Sequence, residues 1–118
     1  MSDPGVTRVL VLRHASAITR PAWDAHRRLI LCGDRVVKRF RGPAKNQTLI
    51  LDAFQEEGWP GRIDDPLAPG PDDDPSARLR DAVRRLNRRQ CYPVLRFCAD
   101  GTGQGVCWSW EQFAARPV

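Results

Sequence analysis

Apolar positions along the chain change their period several times, and each change marks an element. Between Arg28 and Phe40 the runs Leu29-Ile30-Leu31 and Val36-Val37 flank Gly33-Asp34, a tight-turn dipeptide, which predicts a β-hairpin. Gly42-Pro43 ends it. Leu49, Ile50, Ala53 and Phe54 then recur at helical spacing, predicting a helix from Asn46, its expected cap, to about Glu57. Gly58 closes that helix, and Trp59 is placed to fold back onto it.

From Pro60 to Asp74 four prolines and two glycines accompany five aspartates, so a connector without regular structure is expected, anchored by Ile63 and Leu67. Asp74-Pro75 is a strong helix start, because the carboxylate can accept free backbone N–H groups and proline has no N–H to leave unpaired. The helix should run to about Arg89. Leu79, Ala82, Val83 and Leu86 share one stripe, while Arg80, Arg84, Arg85, Asn87 and Arg88 project away from it. Pro93 prevents further helix, and Val94 to Cys98 with Val106 to Trp110 read as a second hairpin around a tip from Asp100 to Gly105. Near the start, Val9 to Leu12 is a candidate edge strand, separated from the rest by Pro21.

With 118 residues and a hydrophobic fraction of 42%, the chain suits one core. The reading is therefore a single α+β domain over 27–112, preceded by a segment 1–26 that is either a strand or a flexible arm and followed by a tail 113–118. No apolar run approaches the roughly 20 residues needed to cross a bilayer, and no secretory leader is evident, so a soluble, cytoplasmic protein is expected. Cys32, Cys91, Cys98 and Cys107 are then expected as reduced thiols, serving as small buried hydrophobes.

Charge changes the picture more than composition does. The formal net charge is +5, but residues 27–45 carry seven Arg or Lys against Asp34 alone, and residues 76–96 carry seven Arg against Asp81 alone. Each basic segment is thus +6, leaving −7 on the remainder. Segregation of this kind points to a basic face for a polyanion. A merely solvated helix would use mixed-sign pairs, for which the second segment, with one aspartate, is a poor recipe. Guanidinium groups on one helical face can pair with phosphates and bridge the major-groove acceptors of guanine, and Asn can pair with adenine.

The order hairpin, helix, connector, basic helix, glycine-tipped hairpin resembles the winged helix-turn-helix superfamily, in particular its response-regulator output-domain branch. The stretch Arg78 to Arg89, then Val94-Leu95-Arg96-Phe97 and Gly103-Gln104-Gly105-Val106, carries the resemblance. It implies a winged-helix-like fold, a basic helix in the major groove, a hairpin wing along the neighbouring backbone and a role in transcription regulation. The expected nucleic-acid contacts are Arg78, Arg80, Arg84, Arg85, Asn87 and Arg88 on the helix, Arg96 on the next strand, Thr102 and Gln104 at the wing tip, and Lys45. Duplex DNA is the expected partner, no cofactor or metal is called for, and no catalysis is expected. Arg35, Lys38, Arg39 and Arg41 are weaker candidates to face phosphate.

Three rival readings need weighing. Val9 to Ala15 is similar to the strand-then-Arg-His start of the histidine phosphatase superfamily, which would make His14 a nucleophile and Arg13 a phosphate clamp. His26 is the one other histidine and no βαβ alternation follows, so this reading is disfavoured. The cysteines lack the paired C-x2-C spacing of a zinc site, and Asp72-Asp73-Asp74 lacks the Gly and Glu of a calcium loop. A basic face can also meet an acidic protein partner, or RNA if Trp59, Trp108 or Trp110 is open for base stacking.

Overall fold

The computed structural model describes residues 20–68 and 74–111. Their elements run β1 (Ala22–Asp24), β2 (Leu29–Cys32), β3 (Arg35–Arg39), α1 (Lys45–Glu56), β4 (Arg62–Asp64), α2 (Pro75–Asn87), β5 (Leu95–Ala99) and β6 (Gly105–Trp110). Among the described residues the fold is α+β, with two helices and two three-stranded antiparallel sheets ordered β1-β2-β3 and β4-β6-β5. The candidate strand at 9–12 and the Arg13-His14 pair lie outside the described residues.

The first hairpin forms as its pattern requires, with Cys32 paired to Arg35 and Gly33 (φ 62°) taking the left-handed conformation that the two-residue turn needs. Its apolar pattern gave no hint of β1, which pairs Trp23 with Ile30 and adds a third strand. Three residues are too few to show a period, and Trp23 is held by tertiary contacts. Its indole donates to Asp52 Oδ1 at 2.8 Å, its backbone N–H donates to Gln55 Oε1 at 2.7 Å, and its ring meets Phe40 edge-on at 5.4 Å. Residues 20–26 thus belong with the domain.

Between Ile30 and Leu31 the β2–β3 register slips by one residue, since Ile30 pairs with Lys38 but Leu31 with Val36. Such a bulge re-aims side chains. Val37 and Lys38 are consecutive and both buried, which simple alternation forbids.

Helix α1 starts at Lys45, with Ala44 at the cap position and no side-chain cap, so Asn46 lies inside the first turn and does not cap as expected. Its other end follows the pattern. Trp59 N–H donates to Phe54 O at 2.7 Å and Gly58 N–H to Gln55 O at 3.2 Å, the paired bonds of a Schellman ending, with Gly58 at φ 80°. Trp59 then stacks on Phe54, with ring centroids 4.9 Å apart and planes 9° from parallel.

The acidic connector was expected to be irregular, yet Arg62–Asp64 forms β4, pairing Ile63 with Val106. One apolar residue between charged ones carries no legible period; the free edge of β6 supplies the order. Ile63 and Leu67 are buried anchors, as expected.

Asp74 caps α2 by accepting from Ser76 N–H and Ala77 N–H at 3.0 and 3.2 Å, and Leu79, Ala82, Val83 and Leu86 are buried. Fully covering Leu79 and Leu86 contributes about 1.5–3 kcal/mol each. The helix stops two residues short of the expected Arg89, because Arg88 is extended and Arg89 turns left-handed at φ 56°. The core joins both sheets and both helices around Phe54, Trp59 and Phe97.

Candidate nucleic-acid interface

At about 100° per residue, a core stripe of Leu79, Ala82, Val83 and Leu86 leaves Arg84 and Arg88 on the opposite side of α2. Arg80 and Asn87 then fall on one flank, Asp81 and Arg85 on the other. The structure fills those flanks differently. On the Arg80 side the second hairpin packs along the helix, and Ser76, Arg80, Gly101 and Gly103 border a cleft of about 130 Å³. On the Arg85 side, Lys45, Asn46 and Gln47 of α1 border a cleft of about 290 Å³ with Asp81 and Arg85. One outward surface therefore runs from Lys45 over Arg85, Arg88, Arg84 and Arg80 to the hairpin tip.

Among the described residues Asp81 is the one carboxylate on this side of α2. It lies 2.9 Å from Arg85 Nε and 3.9 Å from Arg84 Nη1, with both arginine side chains about 60% exposed. Exposed pairs of this kind are worth about 0–1 kcal/mol and exchange readily for another anion. Arg80 donates to Ser76 Oγ at 2.8 Å and makes no ion pair with another described residue. Arg88 is exposed and makes no ion pair with another described residue.

Four of the expected contacts are turned away or have their polar groups already engaged. Asn87 does not project freely beside the arginines. Its Nδ2 donates to Phe97 O and its Oδ1 accepts from Phe97 N–H, both at 2.8 Å, so the amide is used up in fastening α2 to β5. Arg96 alternates with inward Leu95 and Phe97, which turns it to the far side of the sheet from α2, 3.9 Å from Glu111. Arg78 is half-buried and engaged within the fold. Thr102 spends its hydroxyl inside the turn, donating to Asp100 at 2.7 Å and accepting from Gln104 N–H at 3.0 Å. Gln104 is exposed at the tip, with its backbone carbonyl accepting from Asp65.

The tip is braced from behind by Arg62, whose Nε lies 2.6 Å from Asp100 Oδ2 and whose Nη1 lies 2.7 Å from Asp64. The Thr102 hydroxyl, followed by Arg62, holds the Asp100 carboxyl down at about 2, so it remains charged across the physiological range.

Lys38, a weaker candidate to face phosphate, is only 7% exposed and points the other way. Its ammonium donates to the backbone carbonyls of Arg85, Leu86 (3.4 Å) and Arg88 (2.8 Å), capping the end of α2. Desolvation, with Arg89 and then Arg88 nearby, lowers its pKa from 10.5 to about 8. Sequence reasoning missed this role because the bulge that turns Lys38 inward leaves no mark in the pattern of apolar residues. Arg35, another of the weaker candidates, instead covers the Tyr92 ring at 3.9 Å.

Of the cysteines, Cys91 and Cys98 are exposed and Cys32 and Cys107 half-buried, so none is the fully buried small hydrophobe expected. All four are free thiols. Among the described residues no group of three or more His, Cys, Asp or Glu is placed to hold a metal ion, and no helix is long and apolar enough to cross a membrane. Trp59 is buried, and Trp108 and Trp110 pack edge-on at 5.3 Å, which removes Trp59 from any base-stacking role.

The geometry defines an α+β domain with a cationic helix held between a second helix and a hairpin. No protein-family model, curated protein or solved structure matches the chain.

Proposed function

We propose that this domain is a winged-helix-like module that binds nucleic acid, duplex DNA in particular, through the outward side of α2. The observation that carries the reading is the charge imbalance there: Arg80, Arg84, Arg85 and Arg88 are exposed, with Asp81 the single carboxylate among them. Lys45 extends the basic side at one edge, and the exposed tip with Gln104 borders the other. The β4-β6-β5 order, with α2 packed on β5, supports the wing comparison by placing a glycine-rich turn beside the start of that helix.

Arg84 and Arg88 sit one turn apart, a spacing suited to reaching phosphates or base edges along a groove. Arg96, Arg78 and Asn87 are left out of this interface, since each is turned away or occupied. Binding through about four to six phosphates gives a log–log salt slope of about −4 to −5.

Fluorescence anisotropy with labelled duplex DNA, single-stranded DNA and hairpin RNA at two salt concentrations tests the reading. Duplex is expected to bind tightest, with that slope. Tighter binding to RNA would reassign the polyanion, and binding to none of the three would favour an acidic protein partner on the same surface.

A further inference from the structure

We propose that the cavity between the first turn of α1 and the end of α2 is a seat for a phosphate group, lined by Gln47, Arg85, Arg88 and Arg89 and backed by Lys38. The cavity measures about 320 Å³ and no carboxylate among the described residues lines it. Arg88 and Arg89 are exposed, and neither they nor Gln47 make a side-chain hydrogen bond or ion pair with another described residue.

The end of a helix ordinarily repels anions, because its last carbonyls present negative partial charge. Here Lys38 covers three of those carbonyls from inside, so the arginines meet an incoming anion without that opposition. The chain also adopts a left-handed conformation at Arg89, unfavourable for a residue with a side chain, and thereby sets two consecutive arginines on one cavity. Lys38, Arg88 and Arg89 have no carboxylate partner among the described residues and Arg85 has only its exposed pair with Asp81, so the cluster is stabilised by a compact anion that several guanidinium forks can grip at once. Burial and the field of Arg89 and Arg88 hold the Lys38 pKa down, so an anion seated there raises it and binding takes up protons near pH 8.

This inference rests on the polyanion reading and narrows it to one phosphate position. Its ligand is either a backbone phosphate of nucleic acid or a free phosphorylated molecule. Inorganic pyrophosphate is the probe, titrated calorimetrically at low ionic strength into the wild-type chain, Arg89→Gln and Arg96→Gln. The last removes the same charge from the far side of the second sheet. Saturable 1:1 binding is expected, weakened at least about fivefold by Arg89→Gln and less than about twofold by Arg96→Gln, with both variants melting cooperatively near the parent. Equal losses in the two variants, or no saturable binding, overturn the seat.

Labelled duplex measured on the same proteins keeps the two readings apart. Duplex binding without pyrophosphate binding rejects the seat and leaves the nucleic-acid interface standing; the reverse keeps the seat and rejects duplex as its ligand. If both bind, competition assigns the seat to backbone phosphate, and simultaneous binding assigns it to a free phosphorylated molecule.

Discussion

The Asn87 side chain and the Phe97 backbone exchange two hydrogen bonds of 2.8 Å, one given and one received, so a helix side chain continues the ladder of β5 as another strand would. This fixes the rotation of α2 about its own axis. The direction in which Arg80, Arg84 and Arg88 project is therefore set by an amide on the neighbouring flank and not only by the apolar stripe beneath.

Asn87→Ala leaves the Phe97 N–H and C=O without their partner in a half-buried place, and is expected to cost about 2 kcal/mol of stability in urea denaturation. Duplex affinity, measured where the variant is fully folded, should change by less than about twofold. A large drop in affinity with unchanged stability would return Asn87 to the binding surface.

Arg84→Ala and Arg88→Ala remove exposed groups that support no described packing, so each should leave the melting temperature nearly unchanged. Each is expected to weaken duplex binding and to make the salt slope shallower by about 0.9 for every phosphate that is no longer neutralised. The double variant should show both decrements. A slope identical to that of the parent would show that these side chains meet no phosphate.

Gly105 is tightly enclosed. A Cβ there would lie 2.5 Å from Asp100 Oδ2 and 2.6 Å from Arg62 Cζ, driving apart the ion pair that braces the hairpin tip. Gly105→Ala is expected to lose about 1 kcal/mol, because the side-chain ends of Arg62 and Asp100 must move apart to admit the methyl. Gly42→Ala, with nothing within 4 Å of its added methyl, should stay within about 0.5 kcal/mol of the parent. Calorimetric melting of the two variants checks the contrast.

Lys38 gives a pH dependence of definite sign. Its folded pKa of about 8 lies below its ordinary 10.5, so between those values the unfolded chain holds a proton at this residue that the folded chain has released. Stability contributed by Lys38 therefore rises with pH across that window, while below about 8 both states are protonated and the contribution is flat. The groups facing it are Arg85, Arg88 and Arg89 at the end of α2, with the Phe40 ring at 5.1 Å on its own strand. Subtracting the denaturation free energy of Lys38→Met from that of the parent, at intervals from pH 7 to 10, should give a rising difference. A falling one would mean that the carbonyl bonds require the charged amine.

The local elements were legible wherever several residues repeat one instruction. Gly33-Asp34 set the first turn, Asp74-Pro75 started α2, Gly58-Trp59 ended α1, and Leu79, Ala82, Val83 and Leu86 defined a buried stripe, because each depends on neighbours within one or two turns. The imbalance between arginine and carboxylate along 76–96 was likewise a property of the chain itself. Strands β1 and β4 were not legible, since three residues carry no period and their order comes from pairing with β2 and β6.

What the sequence determined by itself, then, was a basic amphipathic helix between two hairpins, through backbone geometry and side-chain periodicity acting over short range. Tertiary structure alone decided which polar groups are available. The β3 bulge sent Lys38 inward to the carbonyls of α2, and strand alternation turned Arg96 to the opposite side. The approach of β5 consumed the Asn87 amide, while the end of α2 came to rest beside Gln47. Desolvation and hydrogen bonding at those contacts depend on distances between residues some ten to fifty positions apart, and no local pattern encodes them.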